Sequence, residues 1–291
     1  MKLSAYCMQC MINRQMDSLE NLNDEELKSD YMQEVLTIIS EVNEDETAPI
    51  TLVKINKLHM KYFGSPYSFE DLKIKYNQLM LQREHNIWNE IQSAEDGLLE
   101  ALKYARIGNY IDFGAMGNID DSKLNDLLDT ISHEQIDQEQ YQSFRKDLNN
   151  AEELVYLTDN CGEIVLDKLL IRCIKEEYSQ INITVIVSGD QILNDATMED
   201  AKMVGLTEMT EVIDNGTDIA GTSLKHINKK AKDQIDKADL IISKGQGNFE
   251  TLNGCGLNVY YLFLCKCDWF VRRFGMERYK GVFINDKNLN S

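Results

Sequence analysis

Apolar positions recur at helical spacing through roughly the first half of the chain. Residues 31–42 and 69–93 carry them every three to four positions, with few β-branched runs. Pro66 suits the start of a helix, and acidic residues follow it in what would be the first turn. The pattern predicts a mainly helical N-terminal lobe over residues 1–140.

Beyond about residue 150 the pattern changes to short apolar runs separated by amphipathic stretches such as 163–177 and 222–236. Strands that alternate with helices are typical of a parallel, doubly wound sheet. The sequence therefore predicts an α/β domain over residues 141–291. The six predicted strands are ELVYLTD (153–159), INITVIVSGD (181–190), EVIDN (211–215), ADLIISKG (238–245), NVYYLFLC (258–265) and GVFIND (281–286).

Polar clusters follow four of these apolar runs, at the carboxyl end of each predicted strand. They lie at residues 158–160, 188–197, 214–215 and 243–250. In open α/β sheets this edge is where ligands bind. Four clusters that are far apart along the chain are therefore expected to converge.

Net charge and the lengths of the apolar runs limit the classes of binding partner. The net charge of -19 repels phosphate backbones, so nucleic acid is a poor candidate partner. No apolar run approaches the roughly 20 residues needed to cross a bilayer, and MKLSAYCMQC lacks the apolar centre of a signal peptide. We expect a cytoplasmic protein without membrane contact, whose site for any anionic substrate needs local positive charge.

The first polar cluster, TDNCGE, combines two hard oxygen ligands with a helix start. Asp159 offers a carboxylate oxygen and Asn160 a carbonyl oxygen, both suited to Mg or Mn. Gly162 permits a tight turn, and a helix that begins near Glu163 favours an anion. The alternative is that Asp159 or Asn160 simply caps that helix.

The second cluster, LNDATMEDA, supplies Asp195 as a third oxygen ligand and Asn194 as a neighbour that contacts substrate or holds a ligand in place. The same residues are also typical of a helix cap followed by a helix. On this motif alone the capping interpretation is favoured.

Two further motifs are candidates for binding substrate. In SKGQGNFE, Lys244 places a cation at the ligand edge, Gly245 permits close approach, and Asn248 and Glu250 follow. An ordinary glycine-rich turn with an exposed lysine is the alternative. In GNYIDFG, Asn109 and Asp112 are candidates for the cleft between the lobes, or belong to a loop with a capping aspartate.

Seven cysteines, an odd number in a long chain, indicate reduced thiols. Cys7 and Cys10 form one C-x-x-C, which is half of a zinc site or a redox pair, and the sequence does not decide its role. Small residues of a core are the favoured interpretation of Cys173, Cys265 and Cys267.

Taken in order, these motifs resemble the damage-control phosphatase family, in particular its prokaryotic branch with an N-terminal C-x-x-C. The matching pieces span nearly the whole chain: Cys7-x-x-Cys10, Pro66-Tyr67, GNYIDFG, DNCGE, NDAT and SKGQGNFE. The resemblance implies a helical lobe against an α/β/α sandwich. It also implies a substrate that is a phosphate ester of a sugar or of a damaged metabolite.

The resemblance further implies that Asp159, Asn160 and Asp195 bind one divalent ion, Mn, Ni, Co or Mg, and that Lys244 contacts the substrate phosphate. Cys161 fills the variable place in D-N-x-G-E, where a thiolate would favour softer metals unless it points into the core. Side chains expected to orient substrate and water are Asn109, Asp112, Glu163, Asn194, Asn248 and Glu250.

The chemistry expected is direct hydrolysis by a metal-activated water rather than through a phosphorylated Asp159, since no second carboxylate follows in a D-x-D pattern. A nucleotide- or S-adenosylmethionine-binding protein, such as a methyltransferase, is the alternative that the doubly wound pattern permits. An acidic structural protein with a zinc clip at the C-x-x-C is a third interpretation.

Overall fold

The first three helices enclose a small core of their own. The computed structural model describes residues 2–44, 46–64, 69–112 and 121–289. The three helices are α1 (Ala5–Ser18), α2 (Glu25–Ser40) and α3 (Ala48–Phe63). Ser4 and Asp24 cap the first two by accepting backbone N–H groups. Their apolar faces meet around Tyr31, Val35 and Ile55, so α1–α3 form a distinct helical unit.

The next helices belong to the core of the sheet. They are α4 (Glu70–Ser93), α5 (Gly97–Gly108), α6 (Asp121–Asp129) and α7 (Gln138–Asn150), with a 3₁₀ turn at Ile131–His133. Their buried side chains share one apolar cluster with the strands. The structure divides the apolar cores after α3, between the core of α1–α3 and the core that the later helices share with the sheet. A domain boundary near residue 140 stays a prediction.

Six strands form one sheet in the order β3-β2-β1-β4-β5-β6. All neighbouring pairs are parallel except β5 and β6. The strands are β1 (Glu153–Leu157), β2 (Asn182–Val187), β3 (Glu211–Asp214), β4 (Leu240–Lys244), β5 (Val259–Leu264) and β6 (Gly281–Asn285). The intervening helices are α8 (Glu163–Glu177), α9 (Met198–Met203), α10 (Lys229–Lys237), α11 (Gly245–Leu252) and α12 (Asp268–Phe274), with 3₁₀ turns at Leu206–Glu208 and Asp286–Asn288.

Helices cover both faces of this sheet, because successive side chains of a strand point to opposite sides. Leu154 and Tyr156 of β1 pack in the cluster shared with α4, α5 and α8. Val155 and Leu157 pack in the opposite cluster with α10, α11 and α12. The predicted α/β/α sandwich with a mostly parallel sheet is confirmed.

The last strand runs antiparallel because the chain folds back at the end of β5. The backbone N–H of Tyr279 donates to Cys265, and that of Cys265 donates to Lys280. The chain thus re-enters the sheet at the carboxyl end of β5, and an apolar run carries no signal for that direction. The predicted helix at 222–236 is shorter than expected, since Asn228 caps α10 and the helix begins at Lys229.

The strand order changes direction between β1 and β4, which are neighbours in the sheet although β2 and β3 lie between them in sequence. The connections after these two strands leave a crevice at their carboxyl ends, the usual ligand position of such sheets. Within the described ranges, no helix is both long and apolar enough to cross a membrane. Pro66, Tyr67, Phe113 and Gly114, which belong to the predicted motifs, lie outside the described residues.

Candidate active site

The loops after β1 and β2 are joined by backbone hydrogen bonds in the crevice. Ala196 N–H donates to the carbonyl of Asp159 at 2.7 Å, and Cys161 N–H donates to that of Asn194 at 2.8 Å. Asn160 and Asp195 form an isolated antiparallel bridge between these bonds. Asp195 is therefore brought beside Asp159 and Asn160 at one edge of the sheet, although it lies far from them along the chain.

Amide side chains fix the acids of this cluster. Asn160 Nδ2 donates to Asp159 Oδ2 at 2.6 Å and to Glu163 Oε2 at 2.7 Å. Asn109 Nδ2 donates to the same Asp159 oxygen at 2.8 Å and to Glu163, while its Oδ1 accepts Leu264 N–H. Asn194 Nδ2 donates to Asn160 Oδ1 at 3.0 Å. Glu163 is thus enclosed in the network that orients Asp159.

The acids repel one another in this crevice. Burial and the nearby Glu163 raise the pKa of Asp159 to about 8, against the opposing effect of Lys266. Burial, together with the charges of Asp159 and Asp112, holds the pKa of Asp195 well above its ordinary value. A cation between the two carboxylates would relieve both repulsion and desolvation.

Two carboxylates and one amide oxygen match the ligand preference of a hard divalent ion. Within the parts of the chain that the structure describes, no three His, Cys, Asp or Glu side chains are spaced to hold a metal. A metal at Asp159 and Asp195 would therefore depend on the carbonyl oxygen of Asn160 as its third protein ligand.

Position 245 needs a glycine because the carboxyl group of Asp159 lies against it. Gly245 begins α11 with φ +78°, and a Cβ atom there would lie 2.1 Å from the carboxyl carbon of Asp159. No L side chain fits such a position. The glycine-rich segment predicted as a turn is consequently a close junction between β4, α11 and the loop after β1.

Lys244 lies in the crevice but is surrounded by protein acceptors. Its Nζ donates to Glu163 at 2.6 Å, to Asp167 at 2.5 Å and to the Ala105 carbonyl at 2.8 Å. Its side chain is 0% exposed. All three of its protons are used, so contact with a phosphate, which stays a prediction, would need one of these bonds to break.

Lys266 is a second buried cation at this edge, and the sequence analysis did not single it out. It follows β5, and its Nζ donates to Asp112 at 2.6 Å. Its positive charge lowers the pKa of Asp159. The signal that could have found it is a lysine between two cysteines at the end of a fully apolar strand.

The remaining predicted substrate residues lie in α11. Asn248 Nδ2 donates to the carbonyls of Thr158 and Lys244 and thereby joins β1 to β4. Glu250 lies near Cys7 and Cys267, because its charge adds to burial in raising the pKa of both thiols. Asn248 is therefore part of the strand junction, and Glu250 is adjacent to α1.

Helix α4 contributes contacts that the sequence did not predict. Asn77 Oδ1 accepts Gly162 N–H at 2.6 Å, and Asn77 Nδ2 donates to Asp200 at 2.7 Å. Lys73 forms a buried ion pair with Asp200 at 2.7 Å. Asp200 in turn closes the capping box of α9 with Thr197, so α4 fixes both loops that carry the acids.

The cysteines are unpaired at all seven positions, each in a described part of the chain. Cys161 is 0% exposed within the core shared with α8, and burial raises the pKa of its thiol. This placement favours the core alternative over a thiolate beside a metal. Cys173 and Cys265 are buried, and Cys267 packs against the opposite core.

Comparison with known proteins gives concordant results. The family model described as damage-control phosphatase ARMT1-like domain matches residues 3–282. An uncharacterized protein of Methanocaldococcus jannaschii is 32% identical over 95% of this chain and 93% of its own. A damage-control phosphatase of Pyrococcus horikoshii is 29% identical over 99% of both chains. The crystal structure of a DUF89 family protein from that organism superposes with a TM-score of 0.80, at 28% identity, over 98% of this chain and 99% of the other.

Proposed function

Because the chain belongs to the family of the damage-control phosphatase ARMT1-like domain, we propose that it hydrolyses phosphate monoesters of small metabolites with the aid of one divalent metal ion. Membership supports a phosphatase, and hence a hydrolase, role. The candidate substrates are sugar phosphates or damaged phosphorylated metabolites. The observation that carries the proposal is the convergence of Asp159, Asn160 and Asp195 at the switch point of the sheet.

Asp159, Asn160 and Asp195 would hold the ion, for which Mn, Ni, Co and Mg are the candidates. When bound, a divalent ion polarises a phosphoryl oxygen and lowers the pKa of a coordinated water. The fit rests on the donor set and on the raised pKa values of Asp159 and Asp195, whose mutual repulsion a cation offsets. Asn160 Oδ1 accepts only the Asn194 amide among the described residues, which leaves one lone pair for a metal.

The side chains around the proposed ion have different roles in this proposal. Lys266 supplies positive charge beside Asp159 and is the side chain proposed to stabilise the phosphoryl oxygens. Asn109 and Asn160 both donate to Asp159 Oδ2, so they fix the orientation of that carboxylate.

Asp159 acts in this proposal as a ligand and not as a nucleophile. Its Oδ2 accepts two amide hydrogen bonds, at 2.8 and 2.6 Å, which hold it in place. Attack by water avoids a phosphorylated enzyme altogether. Isolation of a phospho-aspartyl intermediate would contradict this choice. A cytoplasmic location for the reaction stays a prediction from the sequence.

The decisive experiment is phosphate release from a panel of phosphorylated metabolites with and without chelator. We expect activity to disappear with chelator and to return with Mn. Asp195→Ala should abolish metal binding and lower turnover by about 10³-fold or more, because a first ligand is lost. Asp190→Ala, an exposed acid of the same loop, is the matched control. Full metal-supported activity in the Asp195→Ala protein would contradict the ligand assignment.

A further inference from the structure

A cavity of about 210 Å³ lies between the N-terminal helices and the loops after β2 and β3. Helix α1 contributes Arg14 and Gln15, α3 contributes Leu52, and the two loops contribute Ile192 and Asp218. At about 30 Å³ for each water, the space equals that of about seven waters. It is large enough for one end of a small metabolite.

The cavity adjoins the candidate active site along two walls. On one side its lining residue Leu193 precedes Asp195 by two positions, so their Cα atoms lie within about 7 Å. On the other side Ala220 packs so closely that a Cβ on Gly247 would lie 2.8 Å from its carbonyl oxygen. Gly247 follows Gly245, the residue in contact with Asp159, by two positions.

Arg14 is the distinctive group of this cavity. Within the described residues its guanidinium makes no hydrogen bond, ion pair or ring contact, although the chain has a net charge of -19. The acid that shares the cavity, Asp218, is already paired with Lys57 at 2.8 Å. A half-buried guanidinium without a protein acceptor is a ready partner for a planar or tetrahedral oxyanion.

Gln15, Leu52 and Ile192 also line the cavity. Gln15 accepts the hydroxyl of Tyr31 through its Oε1, which leaves its amide N–H groups to donate. Leu52 and Ile192 give the cavity an apolar wall suited to a short carbon chain. The lining thus offers the guanidinium of Arg14, the amides of Gln15 and Asn56, and apolar surface.

We propose that this cavity binds a second anionic group of the substrate, held by Arg14, while the phosphate lies at Asp159 and Asp195. The inference rests on the proposed function and narrows its substrate class to phosphate esters whose far end carries a carboxylate or a second phosphate.

The test compares 6-phosphogluconate with glucose 6-phosphate, two esters of the same hydroxyl. The first is an open chain that ends in a carboxylate, and the second is mostly a closed ring without a charge at its far end. We expect kcat/KM of the wild-type protein to favour phosphogluconate by about tenfold or more, and Arg14→Gln to remove about 10- to 100-fold for that ester only. Lys61→Gln, an equal charge change on α3 away from the cavity, should keep the preference.

Equal kcat/KM for both esters in the wild-type protein, or an equal loss for both in Arg14→Gln, would overturn the inference and leave the phosphatase proposal standing. Affinity is measured separately by calorimetry with chelator present. If no phosphate ester is hydrolysed but phosphogluconate still binds more tightly than glucose phosphate through Arg14, the proposed function fails and the anion site is supported.

Discussion

The carboxyl ends of β4 and β5 lie side by side, and each presents a buried lysine with a different set of partners. Lys244 donates to two fully buried carboxylates and a carbonyl. Lys266 contacts Asp112, whose side chain is 15% exposed. Two cations at one edge of the sheet therefore have different surroundings, which suggests a stabilising role for Lys244 and leaves Lys266 as the proposed contact of a ligand.

The electrostatics of Lys244 support the first of these functions. Burial by itself lowers the pKa of its ammonium group, but Asp167 and Glu163 together outweigh that effect and raise it. Burial also raises the pKa of Asp167 to about 7 despite its lysine partner. The buried charges of Lys244, Glu163 and Asp167 therefore stabilise one another, and removing one leaves the others without a partner charge.

The largest expected effect is the loss of stability in Lys244→Met. Glu163 and Asp167 would remain buried without their cation, which costs about 3–5 kcal/mol of unfolding free energy. Urea denaturation measures it. Adding Glu163→Gln and Asp167→Asn to the same protein should restore much of the loss. If Lys244→Met kept its stability and lost turnover alone, the phosphate contact predicted from the sequence would replace this structural role.

Lys266→Gln should reduce turnover much more than stability, the reverse of the result expected for Lys244→Met. We expect kcat/KM to fall by about 10²-fold or more, since one cation that stabilises developing phosphoryl charge is removed. Stability should fall by only about 1–2 kcal/mol, because Asp112 remains within reach of water. Lys280→Gln, an exposed lysine after the same strand, is the control. Equal turnover in both variants would exclude Lys266 from the reaction.

Gly245→Ala tests the close contact between the start of α11 and Asp159. The left-handed backbone costs about 1–2 kcal/mol, and the new methyl group would displace the carboxylate, with a loss of about tenfold or more in metal affinity. Gly254→Ala has nearly the same φ, +77°, but no atom within 4 Å of its Cβ position. The control should therefore lose stability and keep metal binding, and the reverse result would contradict the contact.

A pH-dependent effect is expected for Glu250, a half-buried acid of α11. Burial raises the pKa of its carboxyl from 4.5 to about 7. The unfolded chain releases this proton near the lower value and the folded protein near the higher one. Folded stability should therefore decline as pH rises between them and show no contribution from this group below both.

Glu250→Gln removes that decline. The variant should gain about 1–3 kcal/mol over the wild-type protein above neutral pH and nothing in acid, as measured by urea denaturation across the pH range. Glu277→Gln, an exposed acid, should leave the wild-type profile unchanged. Parallel profiles of Glu250→Gln and the wild-type protein would show that Glu250 is not desolvated.

The sequence determined the elements of this protein. Apolar periodicity located the six strands and the helices near residues 31–42, 69–93 and 163–177, because such signals act within a few residues along the chain. It also placed Asp159, Asn160 and Asp195 at strand ends, where sheet geometry requires proximity. The ordered motifs indicated the family, which comparison confirmed.

Only the tertiary structure decided what surrounds each polar group. The three hydrogen bonds of Lys244, the ion pair of Lys266 with Asp112 and the contact of Asn77 with Gly162 all join residues that are more than 50 positions apart. Desolvation and Coulomb interactions act through space and leave no local pattern in the chain. For the same reason the reversal of β6 and the position of Arg14 beside the cavity became visible only once the strands, loops and N-terminal helices were packed together.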